Sequence, residues 1–400
     1  MSAHGNPNII EDGLVFLYDV NNKKSYPGEP TTNLVTNPDF STGLTGWSST
    51  STSNADVDIT EVSSENGYNY FHKKANKTSN GGQDRLVQSS FYTIDTSKQT
   101  TISIDIWINP ENDYSIIFYG RGTTVDDTTY DEKPLTNNGS TTSTVDLGNG
   151  WTRYIYTLQT GWYTGSGNTF LLAVYPAWTG RGLMEYKVRR VQVEQKPHAT
   201  PFVSGTRSTT QGLIDRTGNK TITLANMSYD SNAQKYFDGT DDYISIPTHT
   251  FGNGDWTLNA WVNPDVVSGY NVMSNSSGGP VTNAFGFNGG KIHYRNYDGA
   301  WQTHDGNTTM SIYNWYMLTW VNYEGASASD GTMKMYVNGV ADSDTFNSYT
   351  TNGGPCDVIG RNWTSAFYNG KIDRVTIHDK SLTDAEVLQT YNALKSRFGL

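Results

Sequence analysis

Apolar and polar residues alternate along short stretches of this chain, which is the pattern of half-buried β-strands. In the clearest stretch Ile102, Ile104, Ile106 and Ile108 lie on one face, and Ser103, Asp105, Trp107 and Asn109 lie on the other. Strands are also predicted over 13–20, 115–119, 151–158, 170–175, 185–193, 243–247, 256–263 and 370–378, and in two stretches around Leu318 and Met335. The second of these ends at the hairpin signal Asn338-Gly339. The stretch from Gly120 to Gly150 is long and polar, and we expect it to form a loop.

One segment, at the C-terminus, has helical periodicity instead. Thr383-Asp384-Ala385-Glu386 has the spacing of a capping box, and Gly399 suits a helix stop. One face then collects the apolar residues Val387, Leu388, Tyr391, Leu394 and Phe398. Such an amphipathic helix needs an apolar partner, and we expect it to pack on the outer side of the second of two sandwiches.

The two halves of the chain share landmarks. Ile106-Trp107-Ile108-Asn109-Pro110 matches Ala260-Trp261-Val262-Asn263-Pro264 in pattern, and in both the Trp lies off the apolar stripe. A strand beginning with Trp follows in each half, and later a strand that carries Arg-Val. The pattern predicts two copies of one β-sandwich architecture. We expect Trp107 and Trp261 to be structural, each covered by a crossing segment.

Composition supports this picture and excludes several partners. The 400 residues suit two domains, and the abundance of Gly (40) and Tyr (26) suits short strands joined by tight turns. A net charge of −11 argues against nucleic acid as a partner. No apolar run is long enough to cross a bilayer, so no membrane insertion is expected. The N-terminus shows no secretory signal and Cys356 is the single cysteine, which predicts folding in a reducing cytoplasm.

The C-terminal half resembles the laminin-G-like, concanavalin A-like lectin/glucanase superfamily. The residues that carry the resemblance are Tyr236-Phe237-Asp238-Gly239-Thr240-Asp241-Asp242-Tyr243, Trp256 to Pro264, Asn314 to Trp320, Met335 to Gly339 and Asp373-Arg374-Val375. In such domains from tailed phages, an opening strand similar to Gly13 to Asp19 is followed closely by a turn similar to Asp215-Arg216-Thr217-Gly218-Asn219. Here a long segment separates the two. The resemblance implies a discontinuous domain over 9–30 and 207–400.

The separating segment, 31–206, resembles the jelly rolls of carbohydrate-binding modules. Asn33-Leu34-Val35-Thr36-Asn37-Pro38-Asp39-Phe40 with Gly46-Trp47 is similar to their opening, and Val193-Glu194-Gln195 with Ala199 to Val203 is similar to their close. The fold prediction is therefore all-β, with two antiparallel jelly-roll β-sandwiches, one inserted in the other, and a C-terminal amphipathic helix.

No catalytic constellation is recognisable in the sequence. Related glucanases carry a Glu-x-Asp-x-x-Glu strand that places nucleophile and acid on one face, and this chain lacks it. The seven His have no zinc-site spacing. We therefore predict that the protein is not an enzyme and needs no cofactor.

Exposed aromatic residues are the better candidates for function, since sugars stack their CH faces on Trp and Tyr. The glycan-binding candidates are Trp162, Tyr163 and Trp178 in one half, and Tyr294, Tyr297, Trp301, Trp363 and Tyr368 in the other. Packing at sandwich rims or subunit interfaces explains the same residues equally well. Asp238, Asp241 and Asp242 are expected to form a turn, with a calcium site as the alternative.

These observations and resemblances predict a non-enzymatic phage virion protein, a fibre or a head or tail decoration. It would assemble as a homo-oligomer with other virion proteins, after synthesis in the host cytoplasm, and display lectin-like domains to host cell-surface glycans. Two alternatives stay open. One is a purely architectural virion protein without glycan binding, and the other is a polysaccharide-degrading enzyme.

Overall fold

The computed structural model describes residues 9–49, 55–78, 84–113, 115–123, 130–135, 140–160, 169–176, 182–230, 234–252, 254–276, 283–297, 300–325, 331–347, 354–362 and 366–400. It divides into two compact units. The first, here called the discontinuous unit, comprises the described residues of Met1–Pro30 and Ser208–Leu400; the second, the continuous unit, is Thr31–Arg207.

Strands dominate both units. The discontinuous unit opens with β1 (Leu14–Asp19). The continuous unit contains β2 (Thr31–Thr32), β3 (Trp47–Ser49), β4 (Ala55–Glu65), β5 (Tyr68–Lys77), β6 (Leu86–Gln88), β7 (Tyr92–Thr93), β8 (Thr100–Ile108), β9 (Ile116–Thr123), β10 (Tyr130–Pro134), β11 (Thr141–Gly148), β12 (Trp151–Leu158), β13 (Thr169–Pro176), β14 (Gly182–Glu194) and β15 (Thr206–Arg207).

The discontinuous unit then resumes with β16 (Thr223–Ala225), β17 (Ser228–Tyr229), β18 (Lys235–Asp238), β19 (Tyr243–Phe251), β20 (Trp256–Pro264), β21 (Gly269–Ser274), β22 (Ala284–Asn288), β23 (Lys291–Tyr297), β24 (Trp301–Asp305), β25 (Tyr316–Tyr323), β26 (Thr332–Val337), β27 (Val340–Ala341), β28 (Phe346–Asn347), β29 (Gly354–Ile359), β30 (Arg361–Asn362), β31 (Ala366–Phe367) and β32 (Asn369–His378). The helix α1 (Asp384–Leu394) and a 3₁₀ turn (Lys395–Phe398) follow. Among the described residues, no helix has the length and apolarity needed to span a membrane.

The continuous unit is a sandwich of two antiparallel sheets. One has the order β10-β9-β13-β6-β3, with β7 also paired to β13, and the other has the order β11-β12-β8-β14-β5-β4. Ile102, Ile104 and Ile106 of β8 are buried in the shared core with Val188 and Val193 of β14. The predicted alternation of β8 is therefore confirmed, and it leaves Asp105 and Trp107 on the opposite face of the second sheet.

The discontinuous unit is a second antiparallel sandwich. Its larger sheet has the order β17-β18-β32-β20-β25-β26-β27, with β1 paired to β32 and β28 to β26, and its smaller sheet has the order β16-β19-β29-β21-β22-β23-β24. Asp215 lies within the turn predicted to follow the opening strand, and its Oδ1 accepts the Leu17 backbone N–H at 3.0 Å. The chain after the continuous unit is thus hydrogen-bonded to the strand before it.

The C-terminal helix packs where the sequence predicts. Thr383 and Glu386 form a complete capping box. Val387, Leu394 and Phe398 are buried together with Trp261 and other residues of the larger sheet, on the face that points away from the sandwich core. The apolar face of the helix and the outer face of the sheet therefore cover each other, and the expected all-β fold with one C-terminal helix is confirmed.

The prediction of a loop over 120–150 was wrong for most of its described residues, which belong to β9, β10 and β11. The side chains of β11 are almost all exposed, and the strand lies at the edge of its sheet. A strand exposed on both faces needs no apolar residues, so alternation could not reveal it.

Candidate functional site

A cluster of aromatic and cationic side chains covers the outer face of the continuous unit's second sheet, the face opposite the core. The register places Trp151 of β12 opposite Trp107 of β8, and Arg153 opposite Asp105. On the other side of β8, Lys187 of β14 lies opposite Trp107 and Arg189 opposite Asp105. Cross-strand pairing thus assembles two adjacent rows of functional side chains from three strands that are distant in sequence.

A β-bulge adds one more cation to this face. Between Arg189 and Gln192 the pairing of β14 with β8 shifts register. Arg190 has φ +47°, a left-handed conformation that is uncommon for a residue with a side chain. A bulge changes the direction of the side chain that follows the regular ladder. As a result, both Arg189 and Arg190 reach Asp105.

Asp105 is fully buried beneath three guanidinium groups. Its Oδ1 accepts Arg153 Nε at 2.6 Å, and its Oδ2 accepts Arg190 Nε at 2.6 Å. Arg189 Nε lies 3.8 Å from the same Oδ2. Burial lowers the pKa of Arg189 below its ordinary value, the positive charge of Arg190 lowers it further, and Asp105 opposes both effects. One carboxylate therefore shares its charge among three cations.

The cations lie over aromatic rings. The Arg189 Cζ is 3.9 Å from the centroid of Trp151 and 4.5 Å from that of Tyr68. The Lys187 Nζ is 4.8 Å from the centroid of the Trp107 ring. Cation–π contacts of this kind hold long side chains in place. Trp107 is half-buried, and Tyr68 keeps 41% of its surface exposed.

Two tight turns contribute Asn66 and Asn149 to the lining of a cavity that also includes these rings. Asn66-Gly67 joins β4 to β5, and Asn149-Gly150 joins β11 to β12; all four residues have positive φ, as a type I′ hairpin turn requires. The cavity measures about 400 Å³ and is lined by Glu65, Asn66, Tyr68, Trp107, Leu147, Gly148, Asn149, Trp151, Lys187, Arg189 and Arg190. We call this arrangement the aromatic–arginine site.

Sequence reasoning missed this site. It assigned Trp107 a structural role under a crossing segment, but Trp107 is half-buried and lines a cavity. Trp261, assigned the same role, is fully buried and stacks on Phe398 with ring centroids 4.1 Å apart, so that prediction is confirmed. A usable signal was present: an Asn-Gly pair stands directly before an aromatic residue at both Tyr68 and Trp151.

The predicted glycan-binding residues differ in where they lie and in how exposed they are. Trp162, Tyr163, Trp178 and Trp363 lie outside the described residues. Tyr294 is fully buried and Tyr368 is 1% exposed, both inside the sandwich core. A ring with no accessible face cannot stack on a sugar, so these two assignments are corrected. The side chains at the even positions of β23 point into the core. Closeness in sequence alone had grouped Tyr294 with Tyr297.

Tyr297 and Trp301 do come together. They are opposite each other on β23 and β24, with ring centroids 5.1 Å apart in an edge-to-face arrangement. The Arg295 Cζ lies 3.6 Å from the Trp301 centroid, and Trp301 is 39% exposed. This pair is a smaller aromatic surface, here called the hairpin pair.

The three candidate metal ligands also meet. One carboxylate oxygen from each of Asp238, Asp241 and Asp242 lies within 4.8 Å of the others. The backbone N–H of Asp238 donates to Asp242 Oδ2 at 2.8 Å, and that of Thr240 donates to Asp238 Oδ1 at 2.7 Å, so the cluster forms the expected turn. Asp242 Oδ1 is buried and has no hydrogen-bond partner among the described residues. This donor set fits calcium, which stays a prediction.

The outer face of the sheet also carries Glu185, the other buried carboxylate near the aromatic–arginine site. Burial raises its pKa, but hydrogen bonds from Asn109, His72 and Lys74 outweigh this and hold the pKa below its ordinary value. A glycosidase needs one carboxylic acid whose pKa is raised, so that it is protonated when it meets the substrate. Glu185 is therefore suited to a structural role.

The discontinuous unit contains a larger cavity of about 540 Å³, beside Asp19 and Arg397. Both oxygens of Asp19 accept hydrogen bonds from Arg397, at 2.7 and 2.9 Å. No aromatic residue is among the residues described as lining it. Size alone would favour this cavity, but it offers no ring face to a sugar, and we prefer the aromatic–arginine site.

This chain is similar to several solved structures at low sequence identity. Domain 4 of AbnA, an extracellular arabinanase of Geobacillus stearothermophilus solved in complex with arabinotriose, is 19% identical, with 46% of this chain and 93% of that chain covered and a TM-score of 0.35. The receptor binding domain of botulinum neurotoxin D is 13% identical, with 46% of this chain covered and a TM-score of 0.34, and the match spans half of that chain. A heptameric SAP-like pentraxin from Limulus polyphemus is 17% identical, with 38% and 78% covered and a TM-score of 0.28.

Sequence comparison gives a more specific result for one segment. No curated protein sequence matches the chain. The family model Laminin_G_3, described as the concanavalin A-like lectin/glucanases superfamily, matches residues 238–388, which is less than half of the chain. This segment contains most of the motifs that carry the resemblance in the sequence. The predicted similarity of the C-terminal half to the concanavalin A-like lectin/glucanase superfamily is therefore confirmed.

Proposed function

We propose that this protein binds glycans without cleaving them, and that the aromatic–arginine site is where it does so. The observation that carries the proposal is the half-buried Trp107, which lines the cavity together with the exposed Tyr68. Aromatic rings that are accessible on one face, with hydrogen-bonding groups around them, suit the alternating CH and hydroxyl surfaces of a sugar. Asn66 and Asn149 supply such groups in the cavity lining.

The non-enzymatic part of the proposal has chemical support. In the described part of the continuous unit's outer sheet face, Asp105 contacts three guanidinium groups and Glu185 accepts hydrogen bonds from His72 and Asn109. Carboxylates engaged in this way are poor candidates for the acid and the nucleophile of a glycosidase. Incubation with the polysaccharides that the protein binds, followed by a reducing-sugar assay, tests this point, and sugar release would contradict it.

We further propose that the protein is a phage virion component, a fibre or a head or tail decoration, assembled as a homo-oligomer with other virion proteins and displayed to host cell-surface glycans. The opening strand and the turn at Asp215 support this, since their resemblance is to tailed-phage domains. The division into a continuous and a discontinuous unit fits the insertion of one module into another. Immunogold labelling of intact particles with an antibody to this chain tests the assignment. Absence of the chain from purified particles would overturn it.

The binding test uses the full chain on a broad glycan array. We expect the unsubstituted protein to bind at least one class of glycan, and Trp107→Ala to lower affinity by 10-fold or more because the ring that supports the sugar is removed. Trp301→Ala is the matched control, because it removes an exposed Trp from the hairpin pair. If Trp301→Ala abolished binding and Trp107→Ala did not, the hairpin pair would be the site. No binding to any glycan would leave only the architectural role.

A further inference from the structure

We infer that the glycan bound at the aromatic–arginine site is anionic, carrying a carboxylate or a sulfate group, and that Arg189 and Arg190 bind this group. The inference rests on the proposed function and specifies its ligand. It follows from three features of the site: the charge of its lining, the sharing of Asp105 among cations, and the position of the cations relative to the rings.

The lining of the cavity has an excess of positive charge. Lys187, Arg189 and Arg190 line it, and Glu65 is the single carboxylate among the described lining residues. Including Asp105 and its partner Arg153, four cations face two carboxylates, which leaves two positive charges unmatched. The chain as a whole has a net charge of −11. A local excess of the opposite sign is therefore a feature of this cavity and not a consequence of composition.

The excess charge is also partly removed from water. The side chains of Arg153, Arg189 and Arg190 are 16%, 11% and 21% exposed. Three like charges held this close repel one another, and desolvation adds to the cost of each. Arg189 is matched least well by Asp105, because its Nε lies 3.8 Å away and is buried without a hydrogen-bond partner among the described residues. A second anion at the cavity would relieve this imbalance.

The position of the cations indicates which ligand can supply that anion. Arg189 lies over the rings of Tyr68 and Trp151, and Arg190 lies 4.9 Å from the Tyr68 centroid. A ligand that reaches these guanidinium groups must also lie beside Trp107 and Tyr68, which line the same cavity. A free inorganic anion would use only the cations. A saccharide with an acidic substituent would use both the ring faces and the guanidinium fork, which suits carboxylate and sulfate oxygens.

The experiment compares acidic glycans with their neutral counterparts. The full chain is applied to an array that carries uronate-, sialate- and sulfate-bearing glycans next to the same backbones without the acidic group. We expect the bound glycans to be mainly acidic, and carboxyl reduction or desulfation of a bound glycan to weaken binding by 10-fold or more. The carboxylate and sulfate series separate the two sources of charge. Raising the salt concentration from 50 to 500 mM should weaken the binding of acidic glycans selectively, by the screening of charge.

Variants test whether Arg189 binds the acidic group of the glycan. Arg189→Gln is expected to remove most of the preference for the acidic form, while Arg189→Lys, which keeps the charge, should retain part of it. Lys98→Gln is the matched control, since Lys98 is an exposed cation of the same unit that pairs with Asp95 instead of lining the cavity. Circular dichroism of each variant establishes that it is folded, and the salt dependence of the unsubstituted protein provides a readout that needs no substitution.

The outcomes separate this inference from the proposed function. Equal binding of acidic and neutral forms would overturn the inference and leave glycan binding intact. A preference that survives Arg189→Gln together with Arg190→Gln would overturn the assigned residues. Absence of binding to every glycan on the array would overturn both the inference and the proposed function.

Discussion

Trp151 lies directly opposite Trp107 on the neighbouring strand, and the turn that leads into Trp151 contacts the edge of the Trp107 indole. A Cβ placed on Gly150 would stand 2.7 Å from Trp107 Nε1, too close for any unstrained contact. The hairpin tip and the indole therefore hold each other in position.

The contact between Gly150 and Trp107 gives a first prediction. Gly150→Ala should destabilise the continuous unit by roughly 2–3 kcal/mol, because the added methyl meets both an unfavourable positive φ and the indole. Gly67→Ala is the matched control: Gly67 has φ +79° in the other Asn-Gly turn, but a Cβ there meets no atom within 4 Å. It should cost only about 1 kcal/mol. Urea unfolding measures both, and equal losses would show that the contact with Trp107 has no energetic role.

The two similar tryptophans should respond differently to truncation. Trp261 is fully buried between the larger sheet and the C-terminal segment, and it stacks on Phe398 and on Tyr391. Trp261→Ala should therefore cost the discontinuous unit roughly 3–5 kcal/mol. Trp107→Ala should cost the continuous unit no more than about 1–2 kcal/mol, because part of the ring is already in contact with water.

Chemical unfolding followed by fluorescence and by circular dichroism tests this difference. Two units need not unfold in one transition, so each variant is compared with the unsubstituted protein transition by transition. Comparable destabilisation by the two substitutions would mean that Trp107 is as deeply packed as Trp261.

Acid should destabilise the discontinuous unit through His249. Burial first, and then the charge of Lys220, lower the pKa of His249 to about 4, while Asp379 opposes both effects. Since the unfolded histidine titrates near 6.5, the unfolded chain binds more protons than the folded chain between about pH 6.5 and 4. The stability contributed by a neutral His249 is therefore present above about pH 6.5 and is lost as the pH falls towards 4.

Asp373 acts in the opposite direction, so a variant is needed to isolate His249. Burial raises the pKa of Asp373 to about 6, which adds stability as the pH falls. His249→Gln leaves Asp373 and the other histidines unchanged. The drop in unfolding free energy from pH 7 to pH 5 should be smaller by about 2 kcal/mol in this variant. Thr250→Ser on the same strand is the control, and an unchanged drop in His249→Gln would contradict the assignment.

Calcium should stabilise the discontinuous unit if the three aspartates bind it. Free calcium at 100 times the Kd of the site would add about 2.7 kcal/mol to the free energy of unfolding. This corresponds to a rise in Tm of roughly 5–10 °C for a unit of this size. Asp242→Asn should remove this rise because it changes the buried carboxylate whose Oδ1 has no hydrogen-bond partner among the described residues. The exposed Asp344→Asn is the control.

Differential scanning calorimetry with calcium and with a chelator gives the measurement. Equal Tm values under the two conditions would mean that the aspartates form only the turn before β19. Magnesium in place of calcium tests selectivity, since the smaller ion holds its water more strongly.

Local patterns were enough to predict much of the fold. The alternation in β8 and β20, the capping box at Thr383 and the Asn338-Gly339 hairpin each depend on residues that are close in sequence, and all are present in the structure. Strand β11 was missed because its side chains are almost all exposed. Burial creates the alternation that reveals a strand, so a strand without a buried face leaves no such pattern.

The functional face depends on tertiary structure instead. Along the chain, Asp105 is 48 residues from Arg153 and 85 residues from Arg190. Only the register of β12, β8 and β14 brings the three side chains together. Trp107 and Trp261 stand in matching sequence contexts, yet the C-terminal helix covers Trp261 and Trp107 lines a cavity. The sequence alone determined which residues alternate between core and outer face. The packing of distant segments decided which outer residues are covered, because coverage depends on contacts that local periodicity does not encode.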